Sequence, residues 1–373
     1  MINTLAVFLP ALLALPASLA SPTKSYADTD CVSVSGNKTV SSFQLYPENA
    51  DYDTKRCVAY LRYITSPLTM FPRDTQANTL LSVLYNASVA VWDPAANSIV
   101  ETIAMPGLSF NPLLHASGVR RDPLDRLSIV VDAGTAFDTA GKDIAGDNFL
   151  VKYDLSSRRE LWRRNLTAVT GGVYGGFQDT AHAADGTTFA LGTYPSSIIR
   201  VSADGTDAAA WYLRTPPDHT VHGFSGLVTS PDGKSLLVVD NADGQLYRFD
   251  LSAAEGTPVR VPLSGAALIG TALDGVSLPS RYHGTVILAS DNAAGTVVLR
   301  SRDGAWDEAE VLGTVPGLPP AEGAASVTTV QIGGSVYAVS EWFTDDKVAG
   351  TLAGNRTEWP LVDITAKVDA LLV

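Results

Sequence analysis

The sequence predicts an all-β protein, a six-bladed β-propeller of four-stranded antiparallel blades, and three observations carry this prediction. Gly176, Gly223 and Gly270 are spaced 47 residues apart, a period typical of propeller blades. One order of strands and turns recurs about six times, in units of ~50 residues. The 31 glycines and 21 prolines supply the turns that short strands need. A β-sandwich is the alternative, disfavoured because one sandwich rarely needs about two dozen strands.

The clearest unit begins at His222 and predicts one complete blade. An apolar strand at residues 236–239 follows the turn at residues 231–233. In the next strand Tyr247, Phe249 and Leu251 share one face, the period of two that is typical of a half-buried strand. A fourth, outer strand is expected at residues 258–263. Together these elements make a four-stranded antiparallel meander.

The same order recurs along the chain and assigns the remaining blades. The other units are placed at residues 81–91, 127–155, 184–201, 283–299 and 336–352, the last with a strand pair at 336–339 and 348–352. Residues 360–364 are expected to close the ring against an amino-terminal strand. Residues 368–372 are expected to form a short helix.

Residues 1–20 are predicted to be a signal peptide, and residues 21–373 the propeller domain. The apolar run is broken by Pro10 and Pro16, ends in small residues at Ser18 and Ala20, and is too short for a comfortable bilayer span. The mature protein is therefore expected in the secretory pathway, either secreted or in the lumen of the endoplasmic reticulum or vesicles.

The two cysteines and the glycosylation sequons agree with that compartment. A disulfide between Cys31 and Cys57 is the default expectation, and two unpaired buried thiols are the alternative. Closing this loop would stabilise the fold by about 3 kcal/mol. Four Asn-x-Ser/Thr sequons make glycosylation expected, at Asn37, Asn86, Asn165 and Asn355.

Charge and motif content exclude several classes of partner and cofactor. A net charge of -13 disfavours nucleic-acid backbones and anionic membrane surfaces. No segment has the pattern of a phosphate-binding loop, a haem attachment site or a zinc-binding helix. We therefore expect no cofactor and no resident metal ion.

Propeller geometry places the candidate site at one mouth of the central channel, where loops from distant parts of the chain converge. The residues assigned there combine aromatic rings, amides and imidazoles, a mixture suited to an apolar pocket with a few orienting polar groups. Ordinary turn chemistry explains Asn241 and Asn292 equally well. The candidate catalytic residues are His115, Gln178, Tyr194, His222, Asn241, Asn292 and Trp342.

One stretch resembles calcium-dependent lactonase propellers. Residues 225–233 and Asp240 follow that pattern, but Ser225 stands where the resemblance requires an asparagine ligand. Calcium prefers six or more oxygen ligands, with carboxylates among them. A metal-dependent lactonase-like hydrolase therefore stays an alternative, while Asp240 is expected to be a turn residue and any activity to be indifferent to chelators.

Most of the mature chain resembles a family of secreted fungal propellers found in terpenoid biosynthetic clusters. This family includes an accessory protein of trichothecene clusters and the hetero-Diels–Alderases of tropolonic sesquiterpenoid biosynthesis. Residues 61–79 depart from it as an apparent insertion. The resemblance rests on Leu45–Tyr52, Leu84–Val89, Leu114–Val119, Val131–Gly134, Tyr174–Asp179, Ser197–Gly205, Gly244–Asp250 and Asn355–Arg356.

The resemblance implies a cofactor-independent pericyclase that takes small-molecule substrates. It would couple a tropolone-derived ortho-quinone methide to a sesquiterpene alkene such as a humulene, forming a meroterpenoid. Trp342, Phe224 and Tyr194 would contact the terpene. His115, His222 or a neighbouring acid would protonate a leaving hydroxyl, and amides would bind the tropolone oxygens. A non-catalytic small-molecule-binding accessory propeller is the other alternative.

Overall fold

A computed structural model describes residues 31, 33–60, 79–319, 323–349, 351 and 353–373. The predicted signal peptide at residues 1–20 lies outside the described residues. So does nearly all of the apparent insertion, residues 61–78.

Within the described ranges the chain is built almost entirely of short strands connected by turns. Only three short α-helices occur there, α1 (Thr135–Asp138), α2 (Leu166–Thr170) and α3 (Thr365–Leu371), with 3₁₀ turns at Leu84–Asn86 and Ser280–Tyr282. The first strands are β1 (Lys38–Ser41), β2 (Pro47–Asp53), β3 (Val58–Tyr60), β4 (Thr79–Val83), β5 (Ser88–Asp93), β6 (Ser98–Ala104), β7 (Leu114–Arg121), β8 (Arg126–Ala133), β9 (Phe149–Asp154) and β10 (Arg159–Asn165). The middle strands are β11 (Gly175–His182), β12 (Thr188–Tyr194), β13 (Ser197–Val201), β14 (Ala208–Leu213), β15 (Phe224–Thr229), β16 (Ser235–Asp240), β17 (Gln245–Asp250), β18 (Val259–Arg260) and β19 (Leu263–Ser264). The last strands are β20 (Leu273–Ser277), β21 (Val286–Asp291), β22 (Gly295–Arg300), β23 (Ala309–Pro316), β24 (Ala325–Ile332), β25 (Ser335–Glu341) and β26 (Glu358–Asp363).

The sheets confirm an all-β propeller and correct the expectation of six uniform four-stranded blades. Five sheets follow the predicted meander, and their inner strands are β7, β11, β15, β20 and β24. The sheet that begins at β20 has a fifth strand, because β19 pairs in parallel with its outer strand β23. The amino-terminal sheet departs from the pattern. There β2 pairs with both β3 and β4, and β3 pairs in parallel with β4 at a single position, Tyr60 with Leu80.

The inner strands of successive sheets pack against one another in a closed ring around the channel. Each of β2, β7, β11, β15, β20 and β24 contacts the next, and β24 returns to β2. Two glycines permit this close approach. A Cβ on Gly118 would lie 2.7 Å from the carbonyl oxygen of Gln178, and one on Gly226 would lie 2.7 Å from the amide nitrogen of Val276. A larger residue at either position would push the inner strands apart.

The ring closes with strands from both ends of the chain. β26 pairs with β25 on one side and antiparallel with β1 on the other, with Lys38 opposite Leu361 and Ser41 opposite Glu358. The predicted closing strand and the carboxy-terminal helix α3 are thus confirmed. The strand predicted at residues 348–352 is wrong, because its described residues lie in a loop and β26 is the partner of β25.

A buried charged cluster lies between the second and third sheets. Lys152 on β9 is 0% exposed, and its Nζ donates to Asp122 Oδ2 at 3.0 Å, Ser128 Oγ at 2.6 Å and Thr188 Oγ1 at 2.9 Å. Asp122 also accepts from Nε of Arg126 at 2.8 Å. Burial lowers the pKa of Lys152 to about 8, and Asp122 opposes that shift.

The predicted disulfide is confirmed. Cys31 and Cys57 are bonded, with Cα atoms 5.2 Å apart across a separation of 26 residues. The bond connects the segment before β1 to the turn between β2 and β3. It therefore fastens the closing sheet to the amino-terminal sheet.

The four sequons differ in exposure. Asn37 and Asn355 are exposed, and Asn165 caps α2 by accepting from the amide of Ala168 at 2.9 Å. Asn86 is only 3% exposed. Glycosylation at all four sequons stays a prediction.

Candidate functional site

A cavity of ≈ 380 Å³ opens at the end of the channel where the inner strands begin. Its lining combines four aromatic rings with carboxyl, amide, hydroxyl and imidazole groups. The lining residues are Glu48, Tyr85, His115, Ser117, Phe137, Asp138, Gln178, Tyr194, His222, Asp274, Asn292 and Phe343. Two other depressions, of ≈ 320 and ≈ 170 Å³, lie at the opposite end around the charged side chains of Asp51 and Arg120.

Polar contacts cross the channel just below the cavity. Asp179 follows the cavity residue Gln178 on β11, and its Oδ1 accepts from Nδ2 of Asn49 at 3.3 Å. Nη2 of Arg120 lies 3.5 Å from the same oxygen. These contacts separate the mixed aromatic and polar cavity from the charged depressions at the far end.

β-Bulges in the inner strands position much of the cavity floor. The pairing register shifts between Pro47 and Ala50 in β2, between Ala116 and Val119 in β7, and on either side of Gln178 in β11. β20 has the same irregularity between Leu273 and Val276. A bulge turns a side chain out of the regular alternation, which is why bulges are common beside active sites. Here the bulged segments supply Glu48, Ser117, Gln178 and Asp274 to the lining.

Five of the seven predicted site residues lie in this lining: His115, Gln178, Tyr194, His222 and Asn292. Asn241 does not. Its Oδ1 accepts from the amide of Leu273 at 2.8 Å, so it ties the start of β20 to the preceding sheet. The prediction that Asn241 faces the cavity is corrected.

Trp342 and Phe224 are corrected as well. Trp342 is 3% exposed and belongs to the core between the first and last sheets, with its ring centroid 5.7 Å from that of Trp359 and Arg356 Cζ 4.1 Å above it. Phe224 is buried in another core cluster. The next residue along from Trp342, Phe343, is 42% exposed and lines the cavity instead, because the chain turns after β25.

An aromatic wall forms one side of the cavity. The ring of Tyr194 lies 5.5 Å from that of Phe137 and 5.3 Å from the imidazole of His222, measured between centroids. Gly176, at φ +62°, makes room for Tyr194, since a Cβ there would lie 2.7 Å from Tyr194 Cδ2. The position of the Tyr194 ring therefore requires glycine at residue 176.

His115 is held on the opposite side by Tyr85. Their ring centroids are 5.2 Å apart in an edge-to-face arrangement. A Cβ on Gly134 would overlap Cε1 of His115, so the glycine leaves the space that the imidazole occupies. Gln178 is fixed by its Nε2, which donates to Thr193 Oγ1 at 2.7 Å.

The floor of the cavity is rich in carboxyl groups whose pKa values are raised by burial. Burial, followed by repulsion from Asp274, raises the pKa of Glu48 well above its usual range. Burial also raises the pKa of Asp274 to about 7, while a hydrogen bond from Nδ2 of Asn292 at 2.8 Å opposes that rise. Nearby, burial raises the pKa of Asp132 to about 8 although Ser117 donates to it.

His222 is neutral in this site. Burial lowers its pKa to about 4, because it removes the hydration that stabilises an imidazolium. A neutral imidazole accepts a proton or a hydrogen bond but does not act as the acid near neutral pH. Of the acids considered from sequence, the neighbouring carboxyls thus fit the role better than His222.

The lactonase-like metal pattern is not assembled. No group of three or more His, Cys, Asp or Glu side chains among the described residues is placed to hold a metal ion. Ser225 is buried outside the cavity lining. Asp240 is the last residue of β16; its carboxylate accepts from the amide of Ala242 at 3.0 Å in the following turn and pairs with Arg214.

Glu48 and Asp274 are among the cavity residues that the sequence did not predict. It assigned the site to loops, whereas the floor comes from the first residues of inner strands. A usable signal existed, because Gln178, Ser225 and Asp274 occupy equivalent bulges at nearly the 47-residue spacing of the glycines. Glu48 lies before the apparent insertion, where the repeat cannot be aligned.

Fold and site together define a β-propeller with a cavity of small-molecule size at one end of its channel. No family model matches the chain. It is 33% identical over 356 residues to "Trichothecene biosynthesis protein 14" of Trichoderma arundinaceum, covering 90% of each chain. It is 31% identical to "Core trichothecene cluster (CTC) protein 14" of Fusarium sporotrichioides, covering 91% of this chain and 87% of that protein. The chain belongs to this family of fungal secondary-metabolism cluster propellers.

A solved structure shares the fold. The major allergen Mala s 1 of Malassezia sympodialis superimposes with a TM-score of 0.72 at 19% identity, covering 89% of this chain and 96% of the allergen. At that identity the likeness concerns the fold alone. None of the described helices, the longest of which has 7 residues, has the length and apolar character needed to cross a membrane.

Proposed function

We propose that this chain is a cofactor-independent hetero-Diels–Alderase of fungal secondary metabolism. It joins a tropolone-derived ortho-quinone methide to an alkene of a sesquiterpene such as a humulene, and the product is a meroterpenoid. The ≈ 380 Å³ cavity carries the proposal, because its volume lies in the range of small-molecule sites and its lining is both aromatic and polar. Kinship with trichothecene cluster proteins supports a terpenoid substrate.

The reaction needs a shaped site rather than a redox group. The four π electrons of the quinone methide, from C=C–C=O, combine with the two of the alkene to form one C–C and one C–O bond, and no atom is lost. Holding both partners in the reactive arrangement supplies up to about 7–11 kcal/mol of barrier lowering. Hydrogen bonds to the quinone methide oxygen increase its electron demand.

The cavity offers both kinds of contact. Tyr194 and Phe137 present ring surface for the apolar terpene. Gln178 and the protonated carboxyl of Glu48 offer hydrogen-bond donors to the tropolone oxygens, and Oδ1 of Asn292 can accept from a tropolone hydroxyl. The exposed ring of Phe343 lies where a long terpene would leave the cavity.

The test is product formation with purified protein. A hydroxymethyl tropolone precursor and humulene are incubated with and without the chain, and the cycloadducts are separated on a chiral column. We expect faster formation and one dominant enantiomer, unchanged by EDTA. Binding of both substrates without acceleration would support a non-catalytic accessory propeller, and an EDTA-sensitive hydrolysis of lactones would support the lactonase-like alternative.

A matched pair of phenylalanines sharpens this test. Phe343→Ala removes an exposed ring from the lining, and we expect turnover to fall several-fold. Phe110→Ala removes a ring that is 53% exposed but lies outside the lining, and it should leave turnover unchanged. Equal effects of the two substitutions would count against this cavity as the site.

We also propose that residues 1–20 are cleaved, leaving the propeller at residues 21–373 in the secretory pathway. The Cys31–Cys57 disulfide supports an oxidising compartment. Intact mass of the protein from its native host should fit a chain starting near Ser21, without free thiols, that loses mass on deglycosylation. Retained Met1 with two free thiols would overturn this assignment.

A further inference from the structure

We propose that Glu48 is the acid that generates the quinone methide inside the cavity, and that Asp274 is the carboxylate that accepts the second proton. This inference rests on the proposed function and deepens it. The substrate is the hydroxymethyl tropolone of the proposed function, in which the alcohol lies beside a ring hydroxyl. The same cavity would then perform a dehydration before the cycloaddition.

The position of Glu48 suits a proton donor. It lies in the bulge of β2, lines the cavity and is 9% exposed. Its Oε2 has no hydrogen-bond partner among the described residues. An unsatisfied buried carboxyl oxygen is costly in a folded protein unless a ligand or water completes it. A substrate hydroxyl in the cavity would supply that partner.

Asp274 is built differently although it lines the same cavity. Asn292 Nδ2 donates to its Oδ2 at 2.8 Å, and the same amide donates to the carbonyl of Ser326 at 3.1 Å, which fixes the amide group. The amide of Gly275 also stabilises the charged form of Asp274. Hydrogen bonds of this kind favour an ionised carboxylate. Of the two carboxyls, Glu48 is therefore the one that stays protonated.

The charged groups around Glu48 reinforce this division. The acids that act on it are Asp274 on β20, Glu341 on β25, Asp132 on β8 and Asp179 on β11, and each raises its pKa. The imidazole of His222 does not offset them, since it is neutral. Two carboxyls whose environments push their pKa values apart are the usual signature of an acid and a base in one site.

The step conserves atoms and electrons. The Glu48 proton moves to the hydroxyl oxygen of the substrate, the C–O bond breaks with its electron pair on oxygen, and water leaves. The ring hydroxyl gives its proton to Asp274, and the O–H electron pair becomes the new C=O bond of the quinone methide. Transfer of that proton from Asp274 to Glu48 restores both groups, so the net change is loss of one water.

The experiment uses two substrates that separate dehydration from cycloaddition. One is the hydroxymethyl tropolone; the other is a silylated precursor from which fluoride releases the quinone methide without acid. Glu48→Gln is expected to lose ~10²–10⁴-fold turnover with the alcohol. With the released quinone methide it should keep wild-type rate and enantioselectivity. Glu48→Asp should recover part of the alcohol activity, and Glu308→Gln, an exposed position, serves as the matched control.

The pH profile is a second readout. The acid form of Glu48 is required, so wild-type turnover of the alcohol should fall as pH rises above the pKa of the pair, while turnover of the released quinone methide stays flat. If Glu48→Gln does not fold, as judged by its thermal melt, Asp274→Asn is tested instead. It is expected to lose turnover of the alcohol and to keep turnover of the released quinone methide.

Each outcome decides. Equal loss on both substrates, or no loss on the alcohol, overturns the role of Glu48 and leaves the proposed function standing. If wild-type protein acts on the released quinone methide but not on the alcohol, the role of Glu48 is also overturned and the proposed function also stands. Wild-type protein inert towards both substrates refutes the proposed function, and this inference falls with it.

Discussion

Trp342→Ala is expected to lower the free energy of unfolding by ~3–5 kcal/mol, the cost of truncating a large buried aromatic side chain. The indole packs between the first and last sheets against Trp359, beneath the guanidinium of Arg356. Its loss leaves a void at the seam where the ring closes and removes a cation–π contact. Urea denaturation followed by fluorescence and circular dichroism measures the change.

The adjacent residue supplies the control. Phe343→Ala removes a ring that is 42% exposed, so its unfolding free energy should change by no more than ~0.5 kcal/mol. Stability and turnover should thus separate between neighbours, with Trp342 affecting the fold and Phe343 the reaction. If Trp342→Ala loses turnover with an unchanged melting temperature, the indole contributes to the site, as the sequence predicted.

Asp122→Asn is expected to cost ~3–5 kcal/mol, because it leaves a buried ammonium without its carboxylate. Lys152 is fully buried, and its remaining partners, Ser128 and Thr188, are uncharged. The asparagine oxygen can still accept the backbone amides of Leu124 and Arg126 that the aspartate accepts. The substitution therefore removes the charge while keeping the turn.

The pH dependence of this loss has a definite sign. The pKa of Lys152 is about 8 in the folded chain against 10.5 when unfolded. Across that window the unfolded state binds more protons, so this residue makes stability rise as pH rises. The deficit of Asp122→Asn should accordingly be larger at pH 7 than at pH 10.

A nearby aspartate is the matched control. Asp125 lies in the same hairpin and pairs with Lys55 and Arg56, but its side chain is 20% exposed. Asp125→Asn should cost only about 1 kcal/mol, as is usual for partly hydrated ion pairs. If the two substitutions lower the free energy of unfolding equally, or if the loss for Asp122→Asn does not change with pH, the buried charge of Lys152 is not the cause.

The fold was largely predictable because its strongest signals are local. The turn at residues 231–233 and the alternation through Tyr247 and Phe249 depend only on neighbouring residues, and β16 and β17 form there. The strand expected at residues 348–352 failed because a short apolar run cannot reveal its partner. β26 pairs with β25 and β1, and that choice is made by tertiary packing.

The site was predictable in location and less so in detail. Loops do converge on one channel mouth, and His115, Gln178, Tyr194, His222 and Asn292 meet there. Whether Trp342 or Phe343 points inward depends on the turn after β25, which composition does not encode. The sequence did not predict the raised pKa values of Glu48 and Asp274, because they arise from burial of these carboxyls among other acids.

The closing sheet imposes an order on synthesis. β1 leaves the ribosome among the first structured segments, yet its partner β26 follows about 320 residues later, Lys38 pairing with Leu361. Until then β1 has an unsatisfied edge, and such edges recruit other chains. The Cys31–Cys57 bond acts as an early tether, because it holds the segment before β1 beside the first sheet while the remainder of the ring is made. A nascent chain lacking that bond would have to recapture its own first strand by diffusion at the last step of folding.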